Sequence, residues 1–332
     1  MSLPARPDPG YVVVTGVAGF IGSFLAEALV ERGCEVVGID AFTPYYSPRD
    51  KRANLAGLRR QPGFWLVEDD LTRMELDAWL DGASVVFHQA AQPGVRSSWG
   101  EDFPTYVANN VLATQRLLEA CVRAGVPRLV AASSSSVYGD APSYPTTEES
   151  VTRPVSPYGV TKLAAEHLCL AYAQAAPSMA VATLRYFTVY GPRQRPDMGF
   201  RRFLEAALER RPIPVYGDGQ QTRDFTYVAD AVQANLLAMT APVRAEAINV
   251  GGGRRVTLQE AIDTIGQVTG CRLQIERRPA LAGDARHTGA DGTRAEALLG
   301  YRPQVQLVEG LTAEASWLMG RQRLLASGQV IG

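Results

Sequence analysis

The chain has 332 residues, 46% of them hydrophobic, and a formal net charge of −1 at pH 7. That length supports one large domain or two coupled ones with a sizeable core. The balanced charge lacks the electrostatic footprint of a nucleic-acid binder. His88, His167 and His287 show no metal-ligand spacing, and Cys34, Cys121, Cys169 and Cys271 form no CxxC pair. No metal centre is expected, and the cysteines read as reduced, packed thiols. The opening "MSLPARPDPG" has no apolar h-region, and no stretch approaches the roughly 18 apolar residues of a membrane span, so a cytoplasmic location is expected.

The first half alternates strands and helices. Tyr11–Thr15 is a short β-rich run, and a helical pattern follows it as far as Glu31-Arg-Gly33. Strands are predicted at Glu35–Ile39 (closed by Asp40), Phe64–Val67, Ser84–His88, Arg128–Ala132 and Val181–Leu184. Long helices are predicted at Pro104–Ala124 and Pro157–Ala175. This rhythm implies an α/β fold, a doubly wound parallel sheet of Rossmann type. After Arg185 the pattern loosens into loops rich in proline, arginine and glycine, with short helices at Phe200–Glu209 and Thr257–Thr269. A smaller, discontinuous α/β substrate domain is expected there. The cofactor domain would span 1–184 and 226–252, and the substrate domain 185–225 and 253–332.

Between the first strand and its helix lies Gly16-Val-Ala-Gly19-Phe20-Ile21-Gly22. A strand, a glycine triplet and a helix in that order supply a tight turn, close backbone approach and a helix N-terminus for a dinucleotide pyrophosphate. Asp40 stands about 20 residues on, at the end of the second strand, where a carboxylate accepts hydrogen bonds from the adenosine ribose. Its charge repels a 2′-phosphate, which favours NAD over NADP. Asp69, Asp70 and Leu71 either flank adenine or are loop residues in solvent.

Tyr158-Gly-Val-Thr-Lys162 opens the second long helix, and residues four apart on a helix share a face. An ammonium beside a phenol favours phenolate and makes a general base usable near neutrality. Only two of the 33 basic residues are lysines, Lys51 and Lys162. A lysine retained in so arginine-rich a chain marks a place where a compact charge is needed.

Together with these motifs, "HQAAQPGVRSSW", "NNVLAT", "SSSSVYG", "LRYFTVYGPRQRPDM", "GDGQQTRDFTYVAD" and "NVGGG" make the chain resemble the extended short-chain dehydrogenase/reductase family, the NAD-dependent sugar-nucleotide epimerases and dehydratases. The resemblance covers nearly the whole chain. It implies Ser134, Tyr158 and Lys162 as the catalytic set, with Ala90, Ala91, Asn110 and Tyr186 at the NAD site. It also implies a homodimer built through the two long helices.

The run Ser133–Ser136 selects among the family's chemistries. Dehydratases carry an acid and a base directly after the catalytic Ser/Thr, and decarboxylases keep a glutamate there. Here those places are Ser135 and Ser136, which cannot perform a carboxylate's proton transfers. The resemblance therefore implies a 4-epimerase, unless Ser135 and Ser136 merely pack the strand end. "LRYFTVYGPRQRPDM" is most similar to the UDP-glucuronate 4-epimerases. On that likeness Thr188 and Arg195 would hold the sugar carboxylate, with Arg96 nearby. The alternative is a general anionic rim of Arg193, Arg195, Arg201 and Arg202. Val215 and Tyr216 would border the uracil, Arg223 would meet the pyrophosphate, and Asp284 would close the late loop, where Leu281 replaces the family's usual arginine. A 4-epimerase of neutral UDP-hexoses is the other enzymatic reading, and an idle NAD-binding protein the non-enzymatic one.

Overall fold

The computed structural model describes residues 7–279 and 285–326. Its centre is a parallel seven-stranded sheet. Six strands come before Phe187: β1 (Val12–Thr15), β2 (Val36–Asp40), β3 (Phe64–Glu68), β4 (Val85–His88), β5 (Arg128–Ser134) and β6 (Ala180–Tyr186). The seventh, Ala245–Val250, returns after an excursion and pairs with β6 from Ala245↔Val181 to Val250↔Tyr186. It escaped the sequence reading because its Ala-Glu-Ala start has little β-propensity.

The spatial order runs from Ala245–Val250 through β6, β5, β4, β1 and β2 to β3. The chain reverses its direction of winding between β1 and β4, which share register from Val12↔Val85 to Thr15↔His88. In open α/β sheets the crevice beyond the strand ends at such a reversal is where ligands bind. Both sheet faces are covered. Helix α1 (Phe20–Glu31) and the helix Val228–Thr240 share one core with Val14, Phe87, Val130 and Ile248. The helices Ala113–Ala124 and Pro157–Ala175 share the other with Val13, Val86, Leu129 and Val181.

The helix expected at Pro104–Ala124 is continuous in direction but not in winding. An α-helical turn at Phe103–Tyr106 gives way to a π-helical segment, Val107–Leu112, before α-helix resumes at Ala113. Such segments insert a residue and re-aim side chains, often at functional sites.

Beyond the sheet lie three small strand pairs. Val189–Tyr190 pairs with Thr226–Tyr227, Thr222–Asp224 with Arg255–Thr257, and Ile213–Tyr216 with Ile275–Arg278. A separate core built on Tyr190, Phe200, Leu204, Ile265, Leu311 and Leu318 supports them. The chain's late segment is divided in its loyalties. Ala295, Leu299 and Tyr301 pack into the sheet core, whereas the helix Leu307–Ala326 joins the smaller one.

Candidate active site

At the end of β1, Gly16 has φ 67°, and a Cβ there would meet the Ala90 backbone at 2.7 Å. A Cβ on Gly22 would stand 2.2 Å from the Gly16 carbonyl oxygen. Only glycine lets the loop take this turn and lie against both α1 and the segment after β4. Gly19 caps α1, whose first turn carries no acidic residue, so its free N–H groups and dipole suit an anion.

Asp40 is buried at the end of β2. Its Oδ2 accepts from the Ala18 N–H at 3.0 Å and its Oδ1 from the Phe42 N–H at 2.8 Å. The carboxylate thus shapes the glycine loop, and its oxygens keep further lone pairs for a ribose. Lys51 Nζ lies 3.8 Å from Asp40 Oδ1.

One continuous cavity is lined by Gly16, Gly19, Phe20, Ile21, Gly22, Asp40, Asp70, Leu71, Ala90, Ala91, Tyr158, Lys162 and Tyr186. The exception among the expected cofactor residues is Asn110. It is buried, accepting from the Gln92 N–H at 2.6 Å and donating to the Gln92 carbonyl and Thr161 hydroxyl. Asn109, its neighbour in the π-helical segment, faces the cavity instead. Asn110 is therefore a brace beneath the loop after β4.

A second cavity is lined by Arg96, Ser134, Ser135, Ser136, Tyr158, Thr188, Arg195, Tyr216 and Arg223. The two cavities share Tyr158, Tyr186 and Arg195 in their walls. Val215 does not face this space. It lies in a strand whose alternate residues are buried, so Val215 packs with Ile213 and Ile262 while Tyr216 points outward. Arg96 stacks over the Tyr216 ring at 5.1 Å. Arg223 donates to the carbonyls of Thr222 and Arg286, at 2.9 and 3.0 Å. Asp284 and Leu281 lie outside the described residues.

The four serines divide their labour. The strand extends two residues further than its apolar pattern, so Ser133 and Ser134 belong to β5. Ser133 donates to Glu166 Oε2 at 2.6 Å, and Glu166 is held by a two-pronged pair with Arg185 at 2.6 and 2.9 Å. Ser134 Oγ accepts from the Ser136 N–H at 3.1 Å, turning the chain into the short 3₁₀ segment Ser135–Val137. Ser135 and Ser136 thereby face the cavity instead of merely packing a strand end.

Tyr158 sits in the first turn of its helix, set by Pro157 and by the Ser156 hydroxyl accepting from the Gly159 N–H at 3.1 Å. Burial pushes its phenol above the ordinary tyrosine range, and a hydrogen bond with Ser134 and the Arg195 charge work against that rise. Lys162 was expected to supply the opposing charge. It instead donates to the Ala132 carbonyl at 2.6 Å, and burial pulls its ammonium down to about 8. His88 is a bridge between strand and helix, 2.8 Å from Thr15 Oγ1 and 2.9 Å from Thr114 Oγ1. Burial lowers its pKa to about 3, so it is neutral.

Sequence reasoning missed Tyr45, Lys51, Asn109 and Asp197, all in these walls. Lys51 carried a usable signal, since the argument from rare lysines applies to it as much as to Lys162. Asp197 lies within the quoted run LRYFTVYGPRQRPDM, but a carboxylate in an irregular loop belongs to no periodic pattern that would assign it a role.

The chain matches the model of the NAD dependent epimerase/dehydratase family over residues 12–251. It is 42% identical to a Bacillus subtilis protein named an uncharacterized UDP-glucose epimerase, YtcB, across 92% of this chain and 97% of that one. The UDP-glucuronic acid 4-epimerase of Bacillus cereus, solved with UDP-glucuronic acid and NAD, superposes with a TM-score of 0.90 at 40% identity, covering 94% of this chain and 99% of that one. MoeE5 superposes with a TM-score of 0.85 at 44% identity, over 94% of this chain and all of that one, and has been solved with NAD and either UDP-glucuronic acid or UDP-glucose. The glycine cradle, the carboxylate closing β2 and the Tyr158–Lys162 pair fit the nucleotide that this family uses, and the chain belongs to the NAD dependent epimerase/dehydratase family.

Proposed function

We propose that the protein inverts C4 of a UDP-sugar, converting UDP-glucuronate to UDP-galacturonate through a transient 4-keto sugar. The observation that carries this reading is the serine turn. Ser134 stands in one cavity wall with Tyr158, and Ser135 and Ser136 follow it at the places where elimination or decarboxylation would use carboxylates. In this reading 1–184 with 226–252 hold NAD, and 185–225 with 253–332 hold the sugar nucleotide.

The roles follow from position. Bound in the first cavity, NAD⁺ supplies a hydride acceptor, and later a donor, at sugar C4. Tyr158 takes the proton from the C4 hydroxyl, and Ser134 hydrogen-bonds that oxygen and the phenol. Lys162 fixes the cofactor side of Tyr158. Oxidation at C4 of glucuronate makes a β-keto acid, which loses CO₂ easily. Thr188 and Arg195 suppress that loss by holding the carboxylate so that its C–C bond does not align with the carbonyl π-system. Tyr216 borders the base and Arg223 the diphosphate.

A homodimer and a cytoplasmic location belong to the same proposal. Val107, Leu112 and Val160 are 39%, 47% and 48% exposed on the paired long helices, which supports a partner there. The apolar positions on these helices that the sequence points to are Val107, Val111, Leu118, Leu163 and Leu170, whereas Leu112 and Val160 emerge from their exposure. Of these, Leu118 is wholly buried beneath the sheet and adds nothing to that face. The four cysteines are free thiols, which supports the cytoplasmic assignment.

Epimerisation of neutral UDP-hexoses is the second reading, favoured by the MoeE5 complex with UDP-glucose. The test is to incubate the purified enzyme separately with UDP-glucuronate, UDP-glucose and UDP-N-acetylglucosamine and to resolve the C4 epimers. UDP-galacturonate as the main product supports the proposal. Turnover of the neutral sugars alone would replace it with the second reading.

A further inference from the structure

Arg195, the residue proposed to meet the sugar carboxylate, already carries a carboxylate. Asp197 takes its Nε and one terminal nitrogen together, Oδ1 and Oδ2 each at 3.0 Å. The arginine side chain is 18% exposed and the aspartate 37%. Tyr45 completes the arrangement. Its hydroxyl donates to Asp197 Oδ2 at 3.3 Å, and its ring lies under the guanidinium at 5.9 Å. Both charged residues line the cavity that holds Ser134–Ser136, Tyr158 and Thr188. Two neighbouring arginines are tied elsewhere, while Arg202 lines the same cavity. Arg193 pairs with Glu27 at 2.8 Å, and Arg201 with Glu205 at 2.8 Å.

A guanidinium presents two edges that can each engage a carboxylate with parallel N–H bonds. Asp197 occupies the Nε edge, leaving the terminal edge for a second acceptor. A sugar carboxylate would therefore meet an arginine that is held in orientation but already neutralised. A neutral sugar would meet a pair that needs no counter-ion and loses nothing by leaving it intact. We infer that Asp197 is a specificity-determining residue, which damps the attraction of Arg195 for anionic sugars and so lets one cavity accept both UDP-glucuronate and a neutral UDP-hexose. Specificity is a difference of two affinities, and a fixed counter-charge moves one of them and not the other.

The inference rests on the proposed carboxylate role of Arg195. Its test is calorimetric binding of UDP-glucuronate and UDP-glucose to the NAD-loaded protein, comparing wild type with Asp197→Asn and Asp197→Ser. Melting temperature and bound NAD check that each variant is folded. For a partly exposed pair the expected change is modest: the affinity ratio of glucuronate to glucose rises about fivefold in both variants. The rise comes from tighter glucuronate binding. A fall in that ratio would mean that Asp197 only orients Arg195, and an unchanged ratio would mean that it does neither; each result overturns the inference. Failure of the underlying reading shows on a different arm, as wild-type enzyme that turns over only neutral UDP-hexoses, whereas this inference is read from the change in affinity between wild type and variant.

Discussion

At Tyr158 opposing influences compete for one proton. Burial raises the phenol's pKa, while the Ser134 hydrogen bond and the Arg195 charge oppose the rise. Tyr158→Phe removes the base with little change of volume, so kcat should fall about 100-fold or more, the scale of general-base loss, while NAD stays bound. A rate close to wild type would remove Tyr158 from that role. Arg195→Ala should weaken UDP-glucuronate more than UDP-glucose and raise the proportion of UDP-4-keto-pentose in the product. A charge-assisted contact contributes about 1.5–3 kcal/mol, so about a tenfold or larger loss of kcat/KM is expected on the charged sugar. Equal losses on both sugars, with no keto-pentose, would reduce Arg195 to a support of its loop. At this scale the sequence was legible wherever chemistry demanded a particular residue at a particular spacing, as with Gly16, Gly22, Asp40 and the Tyr158–Lys162 pair. It was less legible where the backbone decides direction. The π-helical turn makes Asn109 face the cavity and buries Asn110, and strand alternation turns Val215 inward.

Among the elements, the helix Leu307–Ala326 shows how a distant segment supports the arginine loop. Its Glu314 is fully buried and accepts from the Gly191 N–H at 3.0 Å, while its other oxygen has no partner among the described residues. Burial pushes the carboxyl up to about 8, with the Gly191 hydrogen bond and Arg201 opposing and Glu205 assisting. A carboxyl raised in the folded state stabilises fully only below its unfolded pKa, and that contribution is lost as pH rises through 8. Glu314→Gln, which cannot ionise, should melt close to wild type at pH 5 and above it at pH 8. A melting difference that stays constant across that range would contradict the account. Six of the sheet's seven strands followed from alternating apolar runs and glycine turns, but this coupling did not, because a buried glutamate in a helix looks like any surface glutamate until its neighbours are known. The break in the first long helix was equally hidden, since π and α winding share one apolar pattern.

For the whole molecule, the sheet's reversal point sets where the two halves meet, and the ends of β1, β2, β4, β5 and β6 all deliver residues to that crevice. Assembly is the first consequence to test. Light scattering at micromolar concentration should give a dimer for wild type, and Leu112→Glu with Val160→Glu should shift it to monomer without lowering the NAD content. A wild-type monomer would refute the proposed interface. The central claim is that the hydrogen on C4 leaves and returns within one active site. UDP-glucuronate deuterated at C4 tests this directly, with the product isolated after several turnovers in ordinary water. The account predicts UDP-galacturonate that keeps its deuterium at C4, with no net NADH formed. Loss of the label to solvent would contradict it.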